Sequence, residues 1–281
     1  MLRKLLKHEW YATCKVMVAI NLALILLTFI GCCILNTDIF NHKDAVPMAI
    51  LMVILYTLSL TVFGISTLIY LYFRFYRNLF TGEGYLMHTL PVTPMQLFHS
   101  KLIIGYLWTL LNTFLIIISV LALTFIAGYH FAETHNAEDS VQLLQGFQTE
   151  PLDSNNFANA FFEFFGYTPL QFLFHLTQLQ IIGSFVSLLT GYVSILLGQL
   201  VEKYKLMASI GFYIILYIVN QIVCSILMIL PALRILVQDT DNFLRSYYKD
   251  MMGYAIFSQF FMGFVFYFAA VFLMRRPVNL D

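Results

Sequence analysis

Charge is what this sequence has least of. Asp, Glu, Lys and Arg make up only 11% of its 281 residues, against 60% apolar residues, and mean hydropathy is +0.80. A soluble domain carries roughly a quarter charged residues, so the composition is that of a polytopic membrane protein. The four cysteines, Cys14, Cys32, Cys33 and Cys224, form no CxxC pair and lie in or near apolar runs, which suits small apolar filler better than disulfides or zinc. No GxxxxGK[ST] loop occurs, so the usual nucleotide cradle is missing and any uphill work must draw on another polypeptide. The metalloprotease motif HExxH fails as well, because "HEW" at His8 to Trp10 continues with Tyr11 and Ala12.

What is present is a set of six apolar stretches long enough to cross a hydrocarbon core, which takes about 20 helical residues: 16–35, 47–73, 102–128, 170–200, 206–230 and 251–274. Helix is the spanning form expected, since lipid offers no partner to an unpaired backbone group. The first stretch lacks a small-residue cleavage site and is expected to be retained. Within these stretches the one ionisable side chain besides Cys and Tyr is His175; Asn21, Asn112, Gln178, Gln180, Asn220, Gln221 and Gln259 are polar but do not titrate usefully. Intramembrane charges mark proton relays and ion pathways, so their scarcity argues against an ion-coupled carrier. It also argues against intramembrane proteolysis, for which Ser66 would have only His175 as a base.

The cations set an orientation. With the N-terminus inside, segments 1–15, 74–101, 201–205 and 275–281 hold 11 of the 15 Lys and Arg and 4 of the 15 acids, and the outer segments 36–46, 129–169 and 231–250 hold the reverse. The positive-inside rule reads this as two cytoplasmic termini. The expectation is an all-α integral membrane protein: one transmembrane domain over 1–281, six spans, and a basic amphipathic interface helix over 1–15. That helix sets Leu2, Leu5, Leu6 and Trp10 against Arg3, Lys4, Lys7 and Lys15.

Local signals add detail. "TPMQ" at Thr93 to Gln96 and "TPLQ" at Thr168 to Gln171 each put Thr at an N-cap, Pro at the first helical position and Gln where a capping box needs it. The outer loop 129–169 has no Lys or Arg and six carboxylates, Glu133, Glu138, Asp139, Glu150, Asp153 and Glu163. These either attract cationic cargo or mark the exclusion of basic residues from a translocated loop. Phe157, Phe161, Phe164 and Phe165 predict a short helix on the outer surface. His130, Glu133 and His135 have ligand chemistry, but so loose a spacing does not indicate a metal. Ser184, Ser187, Gly191, Ser194 and Gly198 form a small-residue seam along the fourth span, suited to close helix packing within one subunit or between two.

The stretch "FRFYRNLFTGEGYLMHTLPVTPMQLFHSK" between the second and third spans carries a glycine-bracketed acid, an interface-type cluster and a stopping proline. A short helix is predicted from near Thr81 to Pro91, projecting Tyr85, Leu86 and Met87. The run Phe73 to Arg77, then Glu83 with Tyr85 and Leu86, then Thr89 to Val92, then Lys101, together with six spans and the basic N-terminal helix, resembles the permease subunits of type-two ABC exporters, in particular a group common in Gram-positive bacteria. The resemblance implies an exporter subunit, itself no enzyme, in a bacterial plasma membrane. It implies that Arg77, Gly82, Glu83, Gly84, Tyr85, Leu86, Met87, His88, Thr89 and Leu90 contact a separate ABC ATPase, braced by the N-terminal helix. ATP and Mg would sit on that ATPase, with no cofactor in this chain. A second permease copy or paralogue and the lipid bilayer complete the implied partners, with no nucleic acid, and the cargo would be amphipathic: a peptide, drug-like molecule, lipid or glycan. A peptide-sensing or immunity protein without transport, and an ion-coupled carrier, are the alternatives.

Overall fold

A computed structural model describes residues 2–35, 46–80, 93–134, 154–238 and 243–275, and these form seven helices and no strand. The helices are α1 (Leu2–Leu35), α2 (Val46–Phe80), α3 (Pro94–Thr134), α4 (Ser154–Phe165), α5 (Pro169–Gly198), α6 (Lys205–Gln238) and α7 (Phe243–Met274). All except α4 are long and apolar enough to cross a bilayer. The all-α membrane architecture expected from composition is what the chain adopts.

The helices overrun the apolar stretches at several ends. No break separates the amphipathic residues from the first span, because α1 is continuous from Leu2 to Leu35. Helix α2 carries on to Phe80 and α3 begins at Pro94, so Arg74, Arg77 and Lys101 are helical, and only 81–92 of that connection lies outside the described residues. Helix α6 continues through Pro231 to Gln238. Once nucleated, a helix gains a hydrogen bond for each residue added, so it ends where a cap or a turn stops it and not where hydropathy falls.

The starts of α3 and α5 follow their capping signals. Thr168 accepts from the Gln171 backbone N–H at 3.4 Å, and the Gln171 side chain accepts from the Thr168 N–H at 3.1 Å, closing the box ahead of Pro169. Thr93 Oγ1 accepts from the Gln96 N–H at 3.3 Å ahead of Pro94.

The chain divides into two compact units. One comprises Trp10–Tyr70 and Leu107–Pro151. Here α1 and α3 run parallel and are joined by a polar ladder. Trp108 Nε1 donates to Thr13 Oγ1 at 2.9 Å, Asn112 Nδ2 donates to Asn21 Oδ1 at 3.0 Å, and the Thr28 and Ser119 hydroxyls lie 2.9 Å apart, with the Tyr56 hydroxyl of α2 also bonded to Ser119. The indole rings of Trp10 and Trp108 stack at 4.8 Å. Spacings of eight and seven residues on α1, and of four and seven on α3, keep each rung on one helical face.

The other unit comprises Met1–Glu9, Leu71–Tyr106 and Leu152–Asp281. Its axis is α5, whose Leu188, Leu189, Tyr192 and Val193 are at most 2% exposed; a helix apolar all round is either enclosed by others or faces lipid, and this stretch of α5 is enclosed. Helices α6 and α7 pack on α5 and on each other. The first turns of α3 run antiparallel to α5, with the Tyr192 hydroxyl donating to the Lys101 carbonyl at 3.5 Å and the Tyr106 hydroxyl to the Ile181 carbonyl at 3.1 Å. The last turn of α2, the first turn of α3 and the turn 199–204 therefore share one end of this unit. Tyr267, near the close of α7, reaches His99 at 2.9 Å, so the last turns of α7 lie at that end too, while α4 covers the opposite end.

Candidate functional site: a carboxylate between two cations

Three helices that the sequence keeps far apart meet at one carboxylate. Glu9 of α1 is 3% exposed, and its Oε1 accepts from Lys101 Nζ of α3 at 2.5 Å. Its Oε2 accepts from Arg74 of α2 through Nη2 at 3.0 Å and through Nε at 3.3 Å. Lys101 is itself 5% exposed. Two turns of helix α2 separate Arg74 from the start of connection 81–92, and Lys101 lies two turns into α3 beyond it. The carboxylate thus ties together the two helices flanking that connection.

An aromatic floor supports the ions. Phe75, next to Arg74, stacks on Tyr192 at 4.0 Å, and Phe98 meets both edge-on at 6.3 and 6.4 Å. The Tyr192 ring fits because Gly105 faces it; a Cβ at 105 would lie 2.8 Å from its hydroxyl. Burying such charges costs several kcal/mol per ion, which charge-assisted hydrogen bonds offset only when geometry is good. Arrangements of this kind contribute little net stability. What they give is registry: any axial slip of α1, α2 or α3 here would leave a charge without its partner in low dielectric.

The residues singled out in the sequence fall as follows. Gly82, Glu83, Gly84, Tyr85, Leu86, Met87, His88, Thr89 and Leu90 lie outside the described residues. Arg77 is exposed on the last turn of α2, one turn beyond Arg74. Leu5 and Leu6 are half-buried and Trp10 is exposed at its edge, while Leu2 opens α1 with its side chain outside the description.

Along the seam, the Gly191 position is filled by the Tyr72 ring, which would overlap a Cβ there, and the Tyr72 hydroxyl donates to the Ser187 carbonyl at 2.5 Å. Ser194 Oγ turns back to the Gly191 carbonyl at 2.7 Å, and Gly198 meets the Ser209 backbone of α6 at 2.8 Å from a would-be Cβ. Ser184 bonds within its own helix to Ile181, and the Ser187 side chain is exposed. The lower seam is therefore occupied by this chain's own residues.

His175 has Gln178 Oε1 at 3.3 Å and the Tyr167 ring at 4.9 Å, and Ser66 donates to the Val62 carbonyl at 2.7 Å. The His130 and Glu133 side chains and all of His135 lie outside the description, and no cluster of three or more metal-ligating side chains occurs among the described residues.

Glu9 is what sequence reasoning missed. Its signal was the one acid in an otherwise basic N-terminal segment, which a charge tally absorbs without comment. Arg74 and Lys101 were legible as members of a motif, but not as its partners. The chain matches no family model, no curated protein and no solved structure.

Proposed function

We propose that the chain is a permease subunit of an ATP-driven exporter, coupling a separate ATPase to the outward movement of an amphipathic substrate. The observation that carries this reading is the Glu9 junction, which clamps both flanks of connection 81–92 to the N-terminal helix. A loop that receives force from a partner needs a stiff base, and three charge-assisted bonds on one buried carboxylate supply it. Six candidate spans and the motif running from Phe73 to Lys101 support the same reading. Coupling requires only that the ATPase contact differ between two states of the membrane part. On this reading the termini and 81–92 face the cytoplasm of a bacterial cell, ATP and Mg belong to the partner, and a second permease copy or paralogue completes the pathway.

The test is co-purification. Tyr85→Asp with Leu86→Asp should abolish capture of an ATPase expressed from a neighbouring reading frame, while membrane insertion persists; undiminished capture would refute the reading. Transport in vesicles driven by a pH gradient without nucleotide would instead identify an ion-coupled carrier.

A further inference from the structure

At the end of the second unit opposite the start of α3, α4 folds over the starts of α5 and α7. Phe161 and Phe165 face inward, meeting Phe172 at 5.5 and 5.3 Å, and Phe165 meets Tyr248 at 5.1 Å. Phe162 and Phe164 remain 37% and 46% exposed. The corner after α4 turns at Gly166, with φ +72°, and a Cβ there would come within 3.3 Å of both Arg245 Cγ and Lys249 Cβ. The Tyr167 hydroxyl donates to the Lys249 carbonyl at 2.8 Å, and burial, then Asp250, pushes its ionisation upward, so it stays neutral. Arg245 and Lys249, one helical turn apart, thus flank the same corner.

Neither cation meets a carboxylate among the described residues; Asp250 pairs instead with Arg234 at 3.5 Å. The Arg245 guanidinium lies 4.3 Å over the Phe162 ring. A cation held over a ring by its charge uses no N–H hydrogen bond for that contact, which leaves donors for an anion. Leu170 and Phe174, in the first two turns of the candidate span α5, are 80% and 61% exposed, an apolar surface beside this corner that suits hydrocarbon.

We propose that this corner binds the phosphate of an anionic lipid headgroup, held by Arg245 and Lys249, with Phe162 and Phe164 set among the upper acyl chains. Two cations beside exposed aromatic rings offer charge-assisted donors to a phosphate and an apolar surface to acyl chains. A lipid is favoured over a soluble phosphate by the continuity of the exposed aromatics with the lipid-facing surface of α5. The inference stands whether or not the exporter reading does.

The test uses the full chain in detergent micelles, reading its thermal unfolding as phosphatidylglycerol, phosphatidylcholine or inorganic phosphate is added. Phosphatidylglycerol should raise Tm more than phosphatidylcholine, and inorganic phosphate should not change it. Arg245→Gln with Lys249→Gln should lose the difference between the two lipids, and Arg245→Lys with Lys249→Arg should keep it. In vesicles, the additional emission of Phe162→Trp over wild type should be quenched by lipids brominated near the headgroup. An equal phosphatidylglycerol effect in the Gln variant, an equal response to inorganic phosphate, or emission from the introduced indole quenched only from water would each overturn the proposal.

Discussion

The Glu9 carboxylate and the Lys101 ammonium, 92 residues apart in sequence, meet at 2.5 Å with both side chains 4% exposed. Arg74 completes the junction from the other side of connection 81–92. Three ions from three helices, two of them buried and Arg74 partly exposed, are a commitment to one arrangement, because slipping any helix leaves a largely desolvated charge badly paired.

Glu9→Gln keeps the shape of the side chain and removes its charge, taking the carboxylate away from Lys101 and Arg74. Breaking a buried ion pair from one side costs roughly 3–5 kcal/mol. A marked fall in Tm in detergent is expected, and replacing all three ions together by apolar residues, Glu9→Leu with Arg74→Met and Lys101→Leu, should recover much of it.

The seam glycines should differ from three glycines that face open space. Gly191→Val drives side-chain atoms into the Tyr72 ring, and Gly198→Ala meets the Ser209 backbone; overpacking of this kind costs about 1–3 kcal/mol. Gly183, Gly211 and Gly253 have nothing within 4 Å of the place a methyl group would take, so Ala there should leave Tm close to wild type. Comparing unfolding temperatures of the five single variants separates the two groups.

In the first unit, Asn112→Leu removes the interhelical amide bond to Asn21. Such bonds in membrane helices contribute about 0.6 kcal/mol on average and up to about 1.7. The double variant Asn21→Leu with Asn112→Leu should lose less than the sum of the two singles, a coupling that chemical unfolding in mixed micelles can measure.

Thr168→Ala removes one half of the capping box that starts α5. A loss of about 1 kcal/mol is expected. Faster amide hydrogen exchange should be confined to the first turn of α5, and Thr168→Ser should restore protection.

The length and composition of the apolar runs, together with the capping residues Thr93 and Thr168, determined that this chain is helical, that six helices can span a bilayer, and where α3 and α5 begin. Those properties are local: a hydrophobic window or a four-residue box carries its whole physical cause within itself. The spread of α1, α2 and α6 beyond their apolar windows was less legible, since hydropathy measures what suits lipid and not where backbone hydrogen bonding stops. Only tertiary structure decided that Glu9 belongs with Arg74 and Lys101, that Tyr72 fills the space above Gly191, and that Arg245 and Lys249 share a corner with Gly166. Each is a pairing across 65 or more residues or across a turn whose φ only glycine readily adopts, and a pattern read along the chain has no term for what packing brings opposite.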